Sequence, residues 1–168
     1  MLFRSDDELA VAQRQKTLQR NFQGYSTRGG ADIYAFGMSA ISQADGTYWQ
    51  NQKDLPKYCA SLDAGELPLT RGYVLTAEDE CRRTTIMRLM CDLGLDYGNM
   101  SGLLGLDFKK HFASEIESLG DMEADGLLAR TAAGLTATDL GRLLIRNIAM
   151  RFDAYAGTRV EKRFSRTI

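Results

Sequence analysis

Few side chains in this sequence are typed and spaced for chemistry. Cys59, Cys81 and Cys91 cannot form a metal motif, because no two stand two or three residues apart. Their odd number and wide spacing also argue against a disulfide framework and suit a reducing cytoplasm. Helical spacing sets Cys91, and with it Cys81, near a packed face as buried structural thiols. The one histidine, His111, adjoins Phe112 with no visible acid–base partner and reads as a half-exposed helix residue. A phosphate loop, GxSxG, HExxH and CxxC are all absent, so no catalytic or metal-ligating residue is assigned. What remains is arginine and aromatic chemistry. Arg142 and Arg146 stand one turn apart on a C-terminal helix. Arg151 enters the apolar arc of Leu140, Leu144, Ile148, Phe152 and Tyr155. There it either pairs with an acid such as Asp153 or Asp79, or faces a carboxylate-bearing ligand that its forked guanidinium suits.

The elements that must position these residues follow from pattern. Residues 6–20 read as a short surface helix capped by Ser5 or Asp6. Asn21 to Thr27 is polar and aromatic, and Gly29-Gly30 marks a turn. The apolar run at Ile33, Phe36, Met38 and Ile41 fits a buried strand with a close approach at Gly37. Residues 43–53 read as a turn-rich loop around Asp45-Gly46, 55–63 as a helix, and 64–76 as a loop. Thr76 and Asp79 resemble a capping box for a helix over 77–93, which Gly94 would stop in the left-handed conformation. After a Gly-rich turn at 101–107, Phe108, Phe112, Ile116 and Leu119 are the inward side of a helix to about Ala124. Leu127–Thr131 and Leu135–Ala137 form a hairpin, and Thr138 caps a last helix to Tyr155. A basic tail ends in Phe164-Ser165-Arg166-Thr167-Ile168.

The totals bound the class. A chain of 168 residues, 44% hydrophobic and with two prolines, is globular. A net charge of −1 gives no pull toward anionic membrane, and no apolar run reaches the ~20 residues of a membrane span. Helix, helix, hairpin, helix is the order seen in winged-helix proteins, which admits nucleic-acid binding. Against this, six acids face two lysines from Asp107 to Asp125, a balance that phosphates would repel. No nucleic acid and no membrane is expected.

The segment RNFQGYSTRGGADIYAFGMSAIS resembles the oxygen-independent coproporphyrinogen III oxidases, radical SAM enzymes of haem synthesis. YWQNQKDL, RGYVLTAEDECRR, GRLLIRNIAMRFDAY and the terminal FSRTI support it in family order. The resemblance implies the last third of such an enzyme: an α+β chain in which 1–50 close an incomplete (β/α) barrel. Residues 51–168 would form a mainly helical C-terminal domain with a small winged-helix-like hairpin. In the family, a 4Fe–4S cluster on CxxxCxxC cleaves S-adenosylmethionine reductively. The radical so formed starts the oxidative decarboxylation of two propionates of coproporphyrinogen III. CxxxCxxC is absent from this sequence, so the chain alone is not expected to be a catalyst. The family's contacts to a second S-adenosylmethionine match Phe22, Gln23 and Ile41. Arg28, Arg142, Arg146 and Arg151 are candidates for the propionates that no family motif assigns. The expected partners are the missing barrel portion or a second copy, through an exposed strand at 21–41. The alternative is a non-catalytic module that binds a tetrapyrrole or a partner protein.

Overall fold

A computed structural model of the chain describes residues 6–156. The basic tail expected beyond Ala156, and the alternative cap at Ser5, lie outside the described residues. They fold as two compact units, 6–27 with 81–156, and 28–80. Both mix helices with small antiparallel sheets, so the α+β expectation holds. Residue 50, where the sequence reading divides the chain, falls inside a strand of the second unit.

The first unit begins with α1 (Glu8–Arg14), capped by Asp7, whose carboxylate accepts the Leu9 N–H at 2.8 Å. The helix stops well short of Arg20 because Lys16 turns into the left-handed region at φ 58° and strand β1 (Gln19–Asn21) follows. β1 pairs with β2 (Gly24–Ser26). Ala12 and Leu18 bury against Cys91, and Gln13 and Arg88 tie the two stretches of chain together. Arg88 donates to the carbonyls of Lys16 and Leu18 at 2.8 and 3.0 Å.

The main core is built on α3 (Ala77–Asp92), which follows strands β3 (Ile41–Ala44) and β4 (Thr47–Asn51), helix α2 (Leu55–Asp63) and strand β5 (Leu69–Val74) of the second unit and carries Leu89 and Met90 inward. As expected, Thr76 and Asp79 cap it reciprocally: the Asp79 N–H donates to Thr76 Oγ1 and the Thr76 N–H to Asp79 Oδ2. The stop differs. Leu93, not Gly94, takes the left-handed conformation at φ 60°. Gly94 instead opens strand β6 (Gly94–Asp96), where a Cβ would stand 2.7 Å from the Leu135 carbonyl oxygen. The glycine is needed for that backbone approach, and the turn falls to its neighbour. Next come α4 (Tyr97–Leu104), ended by Gly105 at φ 67°, then α5 (Phe108–His111), α6 (Ala113–Glu117) and α7 (Gly120–Ala124). The Gly-rich turn expected at 101–107 is thus largely helical, and the single helix expected after it is broken into three.

The hairpin forms as expected from β7 (Leu128–Arg130) and β8 (Gly134–Ala137), and β6 joins it in the order β6-β8-β7. Thr138 caps α8 (Asp139–Leu143), but the chain breaks at Leu144 and resumes as α9 (Ile145–Ala149) and a final 3-10 turn, Met150–Phe152. A Cβ on Gly141 would overlap the Leu127 carbonyl oxygen, which is how closely α8 approaches the sheet. The break rotates the apolar arc: Leu140, Leu144 and Tyr155 are exposed, while Ile145, Ile148, Ala149 and Phe152 are buried. Phe108, Phe112 and Phe152 meet at ring distances of 4.8 to 6.5 Å, all fully buried.

The second unit is a three-stranded antiparallel sheet in the order β3-β4-β5 with one helix. β3 (Ile41–Ala44) and β4 (Thr47–Asn51) close over Asp45 and Gly46, both at positive φ, in the geometry of a two-residue hairpin turn. The loops expected at 43–53 and 64–76 are in fact strands, because β5 (Leu69–Val74) pairs along β4. Helix α2 (Leu55–Asp63) matches its expected bounds and is capped by Asp54. The strand expected over Ile33–Ile41 does not form. Before Ile41, which opens β3, only Ile33 makes a bridge, to Gln43, and Tyr34, Phe36 and Met38 are 63%, 93% and 45% exposed. Gly37 and Ser39 at positive φ turn this run across the sheet, where the Asn51 and Gln50 amides hold the Gly37 and Ser39 carbonyls at 2.9 Å.

Arg82 shows how polar groups lock the first unit. It donates to Glu115 at 2.9 Å and to the Phe152 carbonyl at 3.1 Å, and its guanidinium lies over the Phe112 ring. Burial opposes ionisation of Glu115, yet hydrogen bonds from Ser114 and Arg82 outweigh it and hold the carboxyl below the ordinary 4.5. A carboxylate with a depressed folded pKa stabilises at neutral pH and loses that contribution as pH falls through the folded value. Glu115→Gln should therefore cost about 1–2 kcal/mol at pH 7 and progressively less as the pH falls through the folded pKa, as a series of urea melts from pH 7 downward will read. Burial pushes the Cys91 thiol up to about 11, whereas Cys59 is exposed. Iodoacetamide at pH 8 should label Cys59 rapidly and leave Cys91 unmodified until the chain is unfolded, as mass spectrometry will show.

Candidate functional site

The expected cofactor contacts Phe22 and Gln23 sit together at the tip of the β1–β2 hairpin. Asn21 builds the turn: its side-chain oxygen accepts the N–H of Gln23 at 2.8 Å and of Gly24 at 3.2 Å. Gly24 completes it at φ 142°. The result presents an aromatic ring, 46% exposed, and an amide side by side outside the fold. Beneath them the Arg20 guanidinium lies 5.6 Å from the Tyr25 ring centre, across the ladder. Such a tip can stack on a flat ring and hydrogen-bond its edge.

Ile41 lies in the other unit, on the open face of the β3-β4-β5 sheet. Directly paired residues share a face, so the ladder sets Ile41, Gln50 and Arg71 in one transverse row. Tyr48 and Tyr73 form the next row on the same side. A groove of about 400 Å³ runs here, lined by Ile41, Tyr48, Trp49, Gln50, Arg71 and Tyr73. The opposite face is occupied: Tyr34 packs on Trp49 at 6.0 Å, and Ser42 Oγ accepts the Ala35 N–H at 3.0 Å. Ile41 is therefore a half-buried wall of an open aromatic groove, not the end of a core strand.

The four candidate arginines are dispersed. Arg28 is exposed at the start of the second unit. Arg142 faces Asp139 at 3.6 Å in a solvated i, i+3 pair, and Arg146 is exposed beyond the break at Leu144. Arg151 pairs with Asp121, not with Asp153 or Asp79. The Met122 N–H and this guanidinium hold the Asp121 carboxyl below its ordinary value. The sequence pattern missed that acid because it lies on α7, thirty residues away. Arg71 was also missed. Pro68 and Gly72 disguise β5 as a loop, and only the alternation of Thr70, Gly72 and Val74 with Arg71 and Tyr73 signals a strand.

A larger cleft of about 500 Å³ in the first unit is lined by Arg88, Asp92, Asp96, Asn99 and backbone of the β6–β8 sheet. Burial raises Asp92 while the Arg88 charge, 3.5 Å away, works against it. These charges answer one another, and no cysteine, serine or histidine lines the cleft with them. No group of three or more His, Cys, Asp or Glu among the described residues could hold a metal ion. The cysteines, one buried and two at wide spacings, do not fit an iron–sulfur cluster either. No helix among the described residues is long and apolar enough to cross a membrane.

Comparison with known proteins gives these features a context. Residues 75–144 match the family described as HemN C-terminal domain. Over 163 residues, 97% of this chain, the sequence is 44% identical to the oxygen-independent coproporphyrinogen III oxidase of Pseudomonas aeruginosa, covering 35% of that protein. It is 47% identical to the enzyme of the same name from Thermostichus vulcanus over 96% of this chain and 50% of the relative. The solved structure of Escherichia coli coproporphyrinogen III oxidase (HemN), a radical SAM enzyme, matches with a TM-score of 0.86 at 45% identity. That match covers 90% of this chain and 35% of the other. The chain thus spans about a third to a half of the length of these relatives. Residues 75–144 thus match the HemN C-terminal domain family, and nearly the whole chain is similar in sequence and fold to a C-terminal portion of the oxygen-independent coproporphyrinogen III oxidases.

Proposed function

We propose that this chain is the C-terminal part of a radical SAM enzyme that oxidatively decarboxylates coproporphyrinogen III to protoporphyrinogen IX. In this reading it acts only together with a cluster-bearing barrel. The carrying observation is similarity over 96–98% of the chain to enzymes about two to three times its length, with CxxxCxxC absent from its own sequence. Residues 1–50 then correspond to the close of the barrel and 51–168 to the C-terminal domain, with the β7–β8 hairpin as its small winged-helix-like element. Phe22, Gln23 and Ile41 contribute an aromatic, an amide and an aliphatic wall toward a second S-adenosylmethionine. Arg28, Arg142, Arg146 and Arg151 are the chain's candidates for the propionates. The cluster has no ligands here, so no step through it is assigned to these residues. Their part is to hold the ring, orient its carboxylates and exclude water.

The surface supports a requirement for cover. Neither apolar cluster includes a residue from 28–80, where Ala44 is the one buried hydrophobic among the described residues. Phe36, Met38, Leu67 and Val74 are exposed instead. An apolar surface of this kind marks an interaction site. The test is anaerobic mixing with the separately purified barrel portion of a relative such as the Escherichia coli enzyme. A one-to-one complex with restored decarboxylase activity is expected, together with hydrogen-exchange protection of 33–41. Failure to assemble, combined with tight porphyrin binding by the chain alone, would favour a tetrapyrrole-binding module.

A further inference from the structure

Arg71 is held in an unusual way for an exposed arginine. Its Nε donates to Gln50 Oε1 at 2.9 Å, and the same amide donates through Nε2 to the Ser39 carbonyl at 2.9 Å. Gln50 is 8% exposed on the central strand, so both ends of the amide are fixed and the guanidinium is aimed. The partner is neutral. No carboxylate pairs with Arg71 among the described residues, so its charge is not cancelled and both terminal nitrogens remain to donate. Two clefts share this side chain. One is the aromatic groove of Ile41, Tyr48 and Tyr73. The other, of about 310 Å³, adds Lys53 and Lys57 to Arg71, against the single acid Asp54, whose side chain is engaged in capping α2. A positive, pre-aimed fork therefore stands at the edge of an apolar, aromatic-lined surface.

We propose that Arg71, positioned by Gln50 and supported by Lys53 and Lys57, binds the carboxylate of a ligand whose flat ring lies along Ile41, Tyr48 and Tyr73. The bidentate geometry suits carboxylate, and the neutral tether leaves it without an internal competitor. A tetrapyrrole propionate and the methionyl carboxylate of S-adenosylmethionine share this chemistry. The proposal rests on the enzyme reading only for the choice between those two sources.

The test is equilibrium binding to the full chain by porphyrin fluorescence and calorimetry. Coproporphyrin III is compared with its tetramethyl ester, and S-adenosylmethionine with 5′-methylthioadenosine, which keeps the ring and lacks the carboxylate. Arg71→Gln should weaken the carboxylate-bearing member of one pair about tenfold, the loss of one charge-assisted pair, and leave its uncharged partner unchanged. Which pair responds identifies the source. Arg71→Lys, which keeps charge but loses the Gln50 tether, should fall between; it decides the matter if Arg71→Gln fails to fold. Equal affinity of wild type and Arg71→Gln for both acids overturns the assignment while leaving the enzyme reading intact. Absence of saturable binding by any of the four ligands overturns it as well. The enzyme reading stands or falls separately, on reconstitution with the barrel.

Discussion

The contact among Phe108, Phe112 and Phe152 is the constraint on which the first unit depends. Phe108 lies on a four-residue helix, Phe112 at the break before the next five-residue piece, and Phe152 on a single 3-10 turn, all too short to persist on propensity alone. Their three fully buried rings supply the packing that the broken backbone cannot. Arg82 then ties the last turn of the described chain back to α3 through the Phe152 carbonyl. Removing that tie would loosen the turn that carries Phe152, and with it one wall of the core.

The second unit is held on a different principle. Its sheet is organised by amides and hydroxyls: Gln50, Asn51 and Ser42 are buried and each holds the 33–40 segment by a hydrogen bond. Hydrogen bonds fix geometry well but contribute only about 1 kcal/mol each in net stability. The unit is therefore specific in shape and weak in cohesion. That combination suits a surface that presents Ile41 and Arg71 to something else.

How much could be read from sequence tracks how local each signal is. Helix Leu55–Asp63, the Thr76–Asp79 cap and the hairpin around 128–137 were legible because capping residues and turn glycines act within four positions. The Ile33–Ile41 run was not, because an apolar run becomes a strand only where a ladder partner accepts it, and Asn51 and Gln50 hold its carbonyls with side chains instead. Nor were the breaks at Phe112 and Leu144, which packing imposes on sequence that favours a continuous helix. The site divides in the same way. Phe22 and Gln23 were nameable from resemblance, and the Asn-X-X-Gly turn that displays them is local. Arg71 matters only through Gln50, twenty-one residues earlier, and through a register that no periodicity reveals.

The thin cohesion of residues 28–80 reaches beyond folding to how long the chain lasts in a cell. Segments without an apolar core open at low free energy, and opened segments are what proteases engage. A copy without cover would expose Tyr34, Phe36 and Met38 to such attack, while a covered copy would not. Whatever covers this surface, in the same polypeptide or another, would therefore also lengthen the life of the chain that carries it.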